Sequence, residues 1–246
     1  MRTPHPIPAL LALVIALGLA TITEAKDMTT KKPLDARQQA IVVIAAFTAS
    51  GDIDKLKPAL DAGLDAGLTI NEVKEVLVQM YAYCGFPRSL NGMAALMGVV
   101  EERRAKGIRD EEGRDATPIP ADLDRDAYGA RVRADLSGLD EIPPPAAWQK
   151  FCPVIDDYLK QHLFADIFAR DVLTPQQREL ATIAALANMS GTAGQLAFHL
   201  GAAMNTGLSE AQMLGFIDVL EARVGKAQAA DARQVLAGVL AARNKK

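Results

Sequence analysis

The sequence predicts an all-α protein built from two copies of one helical unit. Three observations carry this. Apolar residues recur at helical spacing in runs that end at glycine, as in the stretch from Ile53 to Gly67. Capping signatures open helices at corresponding places in the two halves. The halves also superpose: Leu34, Gln38, Ile44, Ala45 and Ala46 fall on Leu173, Gln177, Ile183, Ala184 and Ala185. After one inserted residue, Leu56, Leu60, Gly67, Leu68, Gly85 and Leu96 fall on Leu196, Leu200, Gly207, Leu208, Gly225 and Leu236. Two units at a period of roughly 140 residues are a duplication, not a solenoid.

The first repeat spans residues 34–106. Asp35 precedes a helical run through Ile41, Val42 and Ile44 that stops near Gly51, and a second helix covers about Ile53 to Ala66. Gly67 suits the left-handed residue that closes such a helix. Thr69-Ile70-Asn71-Glu72 is a capping box opening a third helix through Val76, Leu77 and Met80. After Gly85-Phe86, Pro87 suits the first turn of a fourth helix that runs to about Ala105.

Residues 107–145 form a linker rich in Asp, Arg, Gly and Pro, with one short helix from Arg125 to Leu136 and a boundary at Pro143-Pro144-Pro145. The second repeat, with a leading helical stretch from Ala146 to Arg170, occupies residues 146–243. Thr174-Pro175-Gln176-Gln177 combines an N-cap, a first-turn proline and a capping-box glutamine. Ser209-Glu210-Ala211-Gln212 opens the third helix of this copy.

Composition excludes several functions. A net charge of −3 provides no basic footprint, so nucleic acid is not an expected partner. Outside the N-terminus no apolar stretch reaches the roughly 20 residues a membrane span needs, and stable insertion is not expected. At the N-terminus itself, Arg2, the apolar run Ala9 to Ala20 and Thr23-Glu24-Ala25 resemble a secretory leader over residues 1–25. The expected location is therefore exported, periplasmic in a Gram-negative host. Beyond the leader the chain has two cysteines, Cys84 and Cys152, and two histidines, His162 and His199. One possible disulfide is not a framework, and no Cys/His cluster stands at zinc-ligand spacing, so neither metal nor cofactor is expected.

Several segments resemble the carboxymuconolactone decarboxylase family. Arg178-Glu179-Leu180-Ala181-Thr182-Ile183-Ala184 with Gln195-Leu196-Ala197-Phe198-His199-Leu200-Gly201 is similar to the first half of such a domain. Glu72 through Tyr83-Cys84-Gly85-Phe86-Pro87-Arg88 to Asn91 is similar to the second half, and Leu159 to Arg170 looks like the helix that precedes one. The resemblance implies a helical, homo-oligomeric protein acting on a small-molecule substrate. The wider superfamily is similar to alkyl hydroperoxidase D, whose peroxidase branch uses a glutamate, a CxxC pair and a nearby histidine. Glu72 and Cys84 match that spacing, whereas Pro87 and Asn91 stand at the second-cysteine and histidine positions.

The repeats diverge in a complementary way. His199 has Ala59 as its counterpart, and the Tyr83–Arg88 segment has only Arg223 to Gln228. A single composite site would draw on the second half of repeat one and the first half of repeat two, within one chain or between chains. Its expected catalytic residues are His199, Arg88 and Cys84. His199 can deliver a proton near neutral pH. Arg88, at a helix start, can clamp a carboxylate or form an ordinary surface ion pair. Cys84 can act only with a lowered pKa, and a packed, inert cysteine is the alternative. Tyr83, Asn91, Glu72 and His162 are the substrate-binding candidates. Glu72 is also accounted for as the third residue of its capping box, and His162 can face Asp166 one helical turn on.

Three activities are compatible with these residues. The first is a cofactor-free decarboxylase-like enzyme acting on a small carboxylic acid or lactone. The second is a thiol peroxidase at Cys84, and the third is an oligomeric binding protein without turnover.

Overall fold

The computed structural model describes residues 33–245. The secretory leader expected over residues 1–25 lies outside them. The described residues form ten α-helices and one π-helical segment, and no strand. Repeat one holds α1 (Ala36–Ser50), α2 (Ile53–Asp65) and α3 (Ile70–Ala105). Then come α4 (Arg125–Leu136), α5 (Ala147–Phe151), α6 (Pro153–Asp157) and the π segment Tyr158–Ile167. Repeat two holds α7 (Pro175–Leu186), α8 (Ala193–Asn205), α9 (Glu210–Arg223) and α10 (Lys226–Arg243).

Local chemistry explains the starts and stops. Asp35, Thr69, Thr174 and Ser209 each accept from the third residue of their helix, and Gln38, Glu72, Gln177 and Gln212 reciprocate. Each box satisfies two N–H groups that a helix start leaves unpaired. Gly85, at φ 82° and ψ 164°, breaks α3 into two arms. The expected third and fourth helices of the repeat are these arms, joined end to end.

The stretch from Ala146 to Arg170 is not one helix. Proline disfavours the helical conformation in its predecessor, and Cys152 sits at φ −137° and ψ 79° before Pro153, separating α5 from α6. Beyond α6 the chain widens to π geometry, with the Phe168 N–H donating to the Leu163 carbonyl at 3.1 Å. At Gly129 of α4, an added Cβ would lie 1.9 Å from the Lys160 carbonyl oxygen. Only glycine lets α4 seat this closely on the π segment.

The duplication survives in three dimensions. Val73, Val76, Leu77 and Met80 are fully buried, as are their counterparts Met213, Phe216, Ile217 and Leu220. The first helices α1 and α7 pack against each other at the centre. The third helices cross between the repeats, α3 packing on α7 as well as on its own α1, and α9 on α1. One continuous apolar core therefore runs through both repeats. The crossing creates two related interfaces, and they differ in chemistry.

Candidate active site

The α3–α7 interface is polar. Helical spacing sets Glu75, Gln79 and Tyr83 on one face of the first α3 arm, at intervals of four. Across from them α7 presents Arg178, Glu179 and Thr182, and α8 adds His199. Apart from Tyr83, which is half-buried, all of these are buried. In the sister interface the equivalent positions are Gly215, Val219 and Arg223 against Gln39, Ala40, Val43 and Ala59. The duplication has thus kept one polar junction and left the other without its carboxylates and histidine.

Hydrogen bonds join the polar groups into two adjoining sets, Glu75–Arg178–Gln79–Thr182 and Tyr83–His199–Glu179. Arg178 donates through Nη1 to the Gln79 carbonyl at 2.8 Å and through Nη2 to Glu75 at 2.9 Å. The Gln79 amide donates to the Thr182 hydroxyl at 3.2 Å, and Thr182 faces the Tyr83 hydroxyl. Tyr83 lies 3.5 Å from His199 Nε2, and His199 Nδ1 meets Glu179 at 2.8 Å. In the second set the donor order that serves every member runs from the Tyr83 hydroxyl through His199 to the Glu179 carboxylate. It leaves His199 protonated at Nδ1, with the Nε2 lone pair toward Tyr83.

The short contact to Glu179 orients the imidazole. The long one to Tyr83 is at the limit of a hydrogen bond, so a reacting atom can replace it. Burial, and after it the Glu179 charge, push the Tyr83 phenol far above its ordinary pKa, so Tyr83 stays a donor. Two buried atoms, Glu179 Oε1 and Arg178 Nε, have no hydrogen-bond partner among the described residues. An unpaired carboxylate oxygen beside a histidine is costly in a merely structural core.

Of the residues singled out from sequence, Tyr83 and His199 are brought together. The others make no hydrogen bond to either. Both Glu72 oxygens are engaged, one by the Thr69 N–H at 2.8 Å and the other by Arg37. Arg88 is exposed and lies by the Gly51 turn, and Asn91 is exposed. His162 belongs to a separate group, 3.1 Å from the Tyr81 hydroxyl and 3.1 Å from Asp166, which Arg125 holds at 2.6 Å. Glu179, Thr182, Gln79 and Glu75 were not anticipated as site residues. The available signal was the repeat alignment, in which each falls on Ala40, Val43, Val219 or Gly215.

Cys84 is not prepared for thiolate chemistry. Its thiol donates to the Met80 carbonyl at 3.0 Å, and burial raises its pKa to about 11 despite the Arg88 charge nearby. Neither it nor Cys152 is in a disulfide. In a Cys152→Ser protein, alkylation of the remaining thiol by iodoacetamide is expected to be slow at pH 7–8. It should climb as the pH approaches about 11. Fast alkylation at pH 7 would contradict this environment. Among the described residues, no three His, Cys, Asp or Glu side chains group to hold a metal ion, and no helix is long and apolar enough to cross a membrane.

Comparison with known proteins agrees with the two-repeat arrangement. An uncharacterized protein of Methanocaldococcus jannaschii is 27% identical over 78 residues, which cover 32% of this chain and 73% of that protein. The model of the carboxymuconolactone decarboxylase family matches twice, over residues 9–97 and 153–238. The first match begins earlier than the repeat drawn from sequence, taking in the N-terminal apolar run. The second contains α7, α8 and α9, and with them Glu179 and His199. With two matches over most of its length and an all-helical duplicated fold, the chain belongs to the carboxymuconolactone decarboxylase family.

Proposed function

We propose that Glu179, His199 and Tyr83 form a cofactor-free acid–base site that transfers a proton on a small carboxylic acid or lactone, in decarboxylase-like chemistry. The observation that carries this reading is the 2.8 Å contact from His199 Nδ1 to a buried carboxylate that has no other hydrogen-bond partner among the described residues. As the substrate's carbon–carboxylate bond breaks, CO2 leaves and the electron pair passes into a conjugated enolate. The neutral Tyr83 hydroxyl donates to the enolate oxygen, and His199, having taken a second proton from solvent onto Nε2, delivers that proton to carbon and returns to the neutral Nδ1–H form. Glu179 balances the imidazolium during that transfer. In so buried a setting fixed charges and dipoles act with little solvent screening.

Arg88 does not contact the pair, and on this reading its effect is confined to the field at Cys84. The raised thiol pKa weighs against the peroxidase alternative. Exposed Trp148, Phe151 and Tyr158 support a homo-oligomer. An exported location, expected from residues 1–25, would direct the site to small acids outside the cytoplasm.

The test is a panel of lactone acids and β,γ-unsaturated acids incubated with the protein in D2O and read by mass spectrometry. Turnover should release CO2 and place one deuterium on carbon. His199→Ala should lower the rate by about 10²–10⁴-fold, the usual contribution of a general acid, while Cys84→Ser leaves it unchanged. A His199→Ala protein working at the parent rate overturns the assignment. Thermal stabilisation by a panel acid without product favours the binding-protein reading.

A further inference from the structure

A groove of about 620 Å³ opens between the two arms of α3 and the segment 107–124, away from His199. We infer that it binds a small amphipathic carboxylic acid, apolar body along α3 and carboxylate at Arg170. This inference does not rest on the His199 reading.

The wall is built, not incidental. Residues 107–124 hold almost no regular structure, and an ordered segment of that length inside a compact fold usually serves a site. Here specific bonds pin it. The Ile70 and Asn71 N–H groups donate to the Glu111 and Glu112 carbonyls, each at 2.9 Å. The Asn71 side chain reaches Gly113, Arg114 and Asp115. Farther along, Thr117 donates twice to Asp171 at 2.8 Å, and Arg114 pairs with Asp171 at 3.0 Å.

The floor is apolar and open to solvent. Val78 comes from the first arm, with Met93, Met97 and Val100 from the second, and Met97 is 65% exposed. Volume and lining suit a compact organic ligand.

Charge selects the head group. At one end of the groove Arg170 shares the Glu75 carboxylate with Arg178, which is buried behind it and does not line the groove, and Asp171 is the other carboxylate acting on Arg170. Arg170 uses only Nε for Glu75, at 2.9 and 3.0 Å, and its two Nη groups make no hydrogen bond among the described residues. Arg104, also in the lining, has no ion pair among them. The other lining acids are placed without claiming Arg170: Glu112 pairs with Lys74 at 2.7 Å, Asp115 accepts from Asn71, and Glu101 is exposed. A planar carboxylate matches the free fork of Arg170 and its apolar tail matches the methionines.

Calorimetric titration of the full chain with sodium octanoate tests this, with octan-1-ol as the uncharged control. Octanoate should bind and octanol at least tenfold more weakly. Met97→Glu, an exposed substitution that leaves the core untouched, should weaken octanoate at least tenfold. Phe151→Glu, in an apolar patch elsewhere, should have no effect, and His199→Ala should bind as the parent does. Equal binding of the alcohol, or unchanged binding in Met97→Glu, overturns the proposal. So does a concentration-dependent dimer that Met97→Glu dissolves, since the groove would then be an interface between copies.

Discussion

Arg178→Met is expected to lower the stability of the fold by about 3–5 kcal/mol, the cost of removing one partner of a buried ion pair. Arg178 and Glu75 are about as buried as charged side chains become, at 1% and 2% exposed. Without the guanidinium, Glu75 keeps only the half-exposed Arg170, and the Gln79 carbonyl loses its donor. Methionine fills much of the volume, so the loss reports charge and hydrogen bonding more than packing. Urea denaturation of both proteins measures it. The double replacement Glu75→Met with Arg178→Met should recover at least half of the deficit, because no buried charge then lacks its partner. A single replacement costing under about 1 kcal/mol would show that the pair is not desolvated in solution.

That buried pair also marks the limit of what the sequence discloses. Helix starts were legible because a capping box is local, involving residues three apart, as with Thr69 and Glu72 or Ser209 and Gln212. The duplication was legible because core positions such as Leu60 and Leu200 do the same work in both copies. The contact between Gln79 and Arg178 joins residues 99 apart in the chain, and nothing local announces it. Glu179 lies inside a segment that resembles the family, yet the glutamate that stands out in the sequence, as a substrate-binding candidate, is Glu72, because of its spacing to Cys84. Glu72 proves to be held by its own helix cap and by Arg37. Weighing each polar residue against its repeat counterpart separates the two. Glu179 falls on Ala40, and a carboxylate where the sister copy keeps a methyl group needs a reason beyond folding. The π segment was not legible, since its residues carry an ordinary helical pattern and the widening arises where they meet α4.

Glu179→Gln is the substitution that best separates an acid–base site from a satisfied core histidine. Glutamine has the shape of glutamate, and its carbonyl can accept from His199 Nδ1 at the 2.8 Å now observed. Its amide replaces an oxygen that has no hydrogen-bond partner among the described residues, so no existing hydrogen bond is sacrificed. Folding should therefore change by less than about 1 kcal/mol, within the range of volume-conserving replacements. Turnover should not survive so well. The amide carries no charge to balance an imidazolium and can turn its N–H₂ toward Nδ1, which favours the neutral tautomer with the proton on Nε2, a far weaker acid than the imidazolium that the transfer needs. In serine proteases the corresponding loss of the orienting carboxylate lowers turnover about 10⁴-fold, and a loss of about 10²–10⁴-fold is expected here. Nitrogen-15 spectra of the imidazole read the tautomer directly, with Nδ1 protonated in the parent protein and Nε2 increasingly protonated in the variant. A variant that keeps both the parent tautomer and the parent rate would reduce Glu179 to a packing residue. It would also leave His199 without the partner that makes it a directed proton donor.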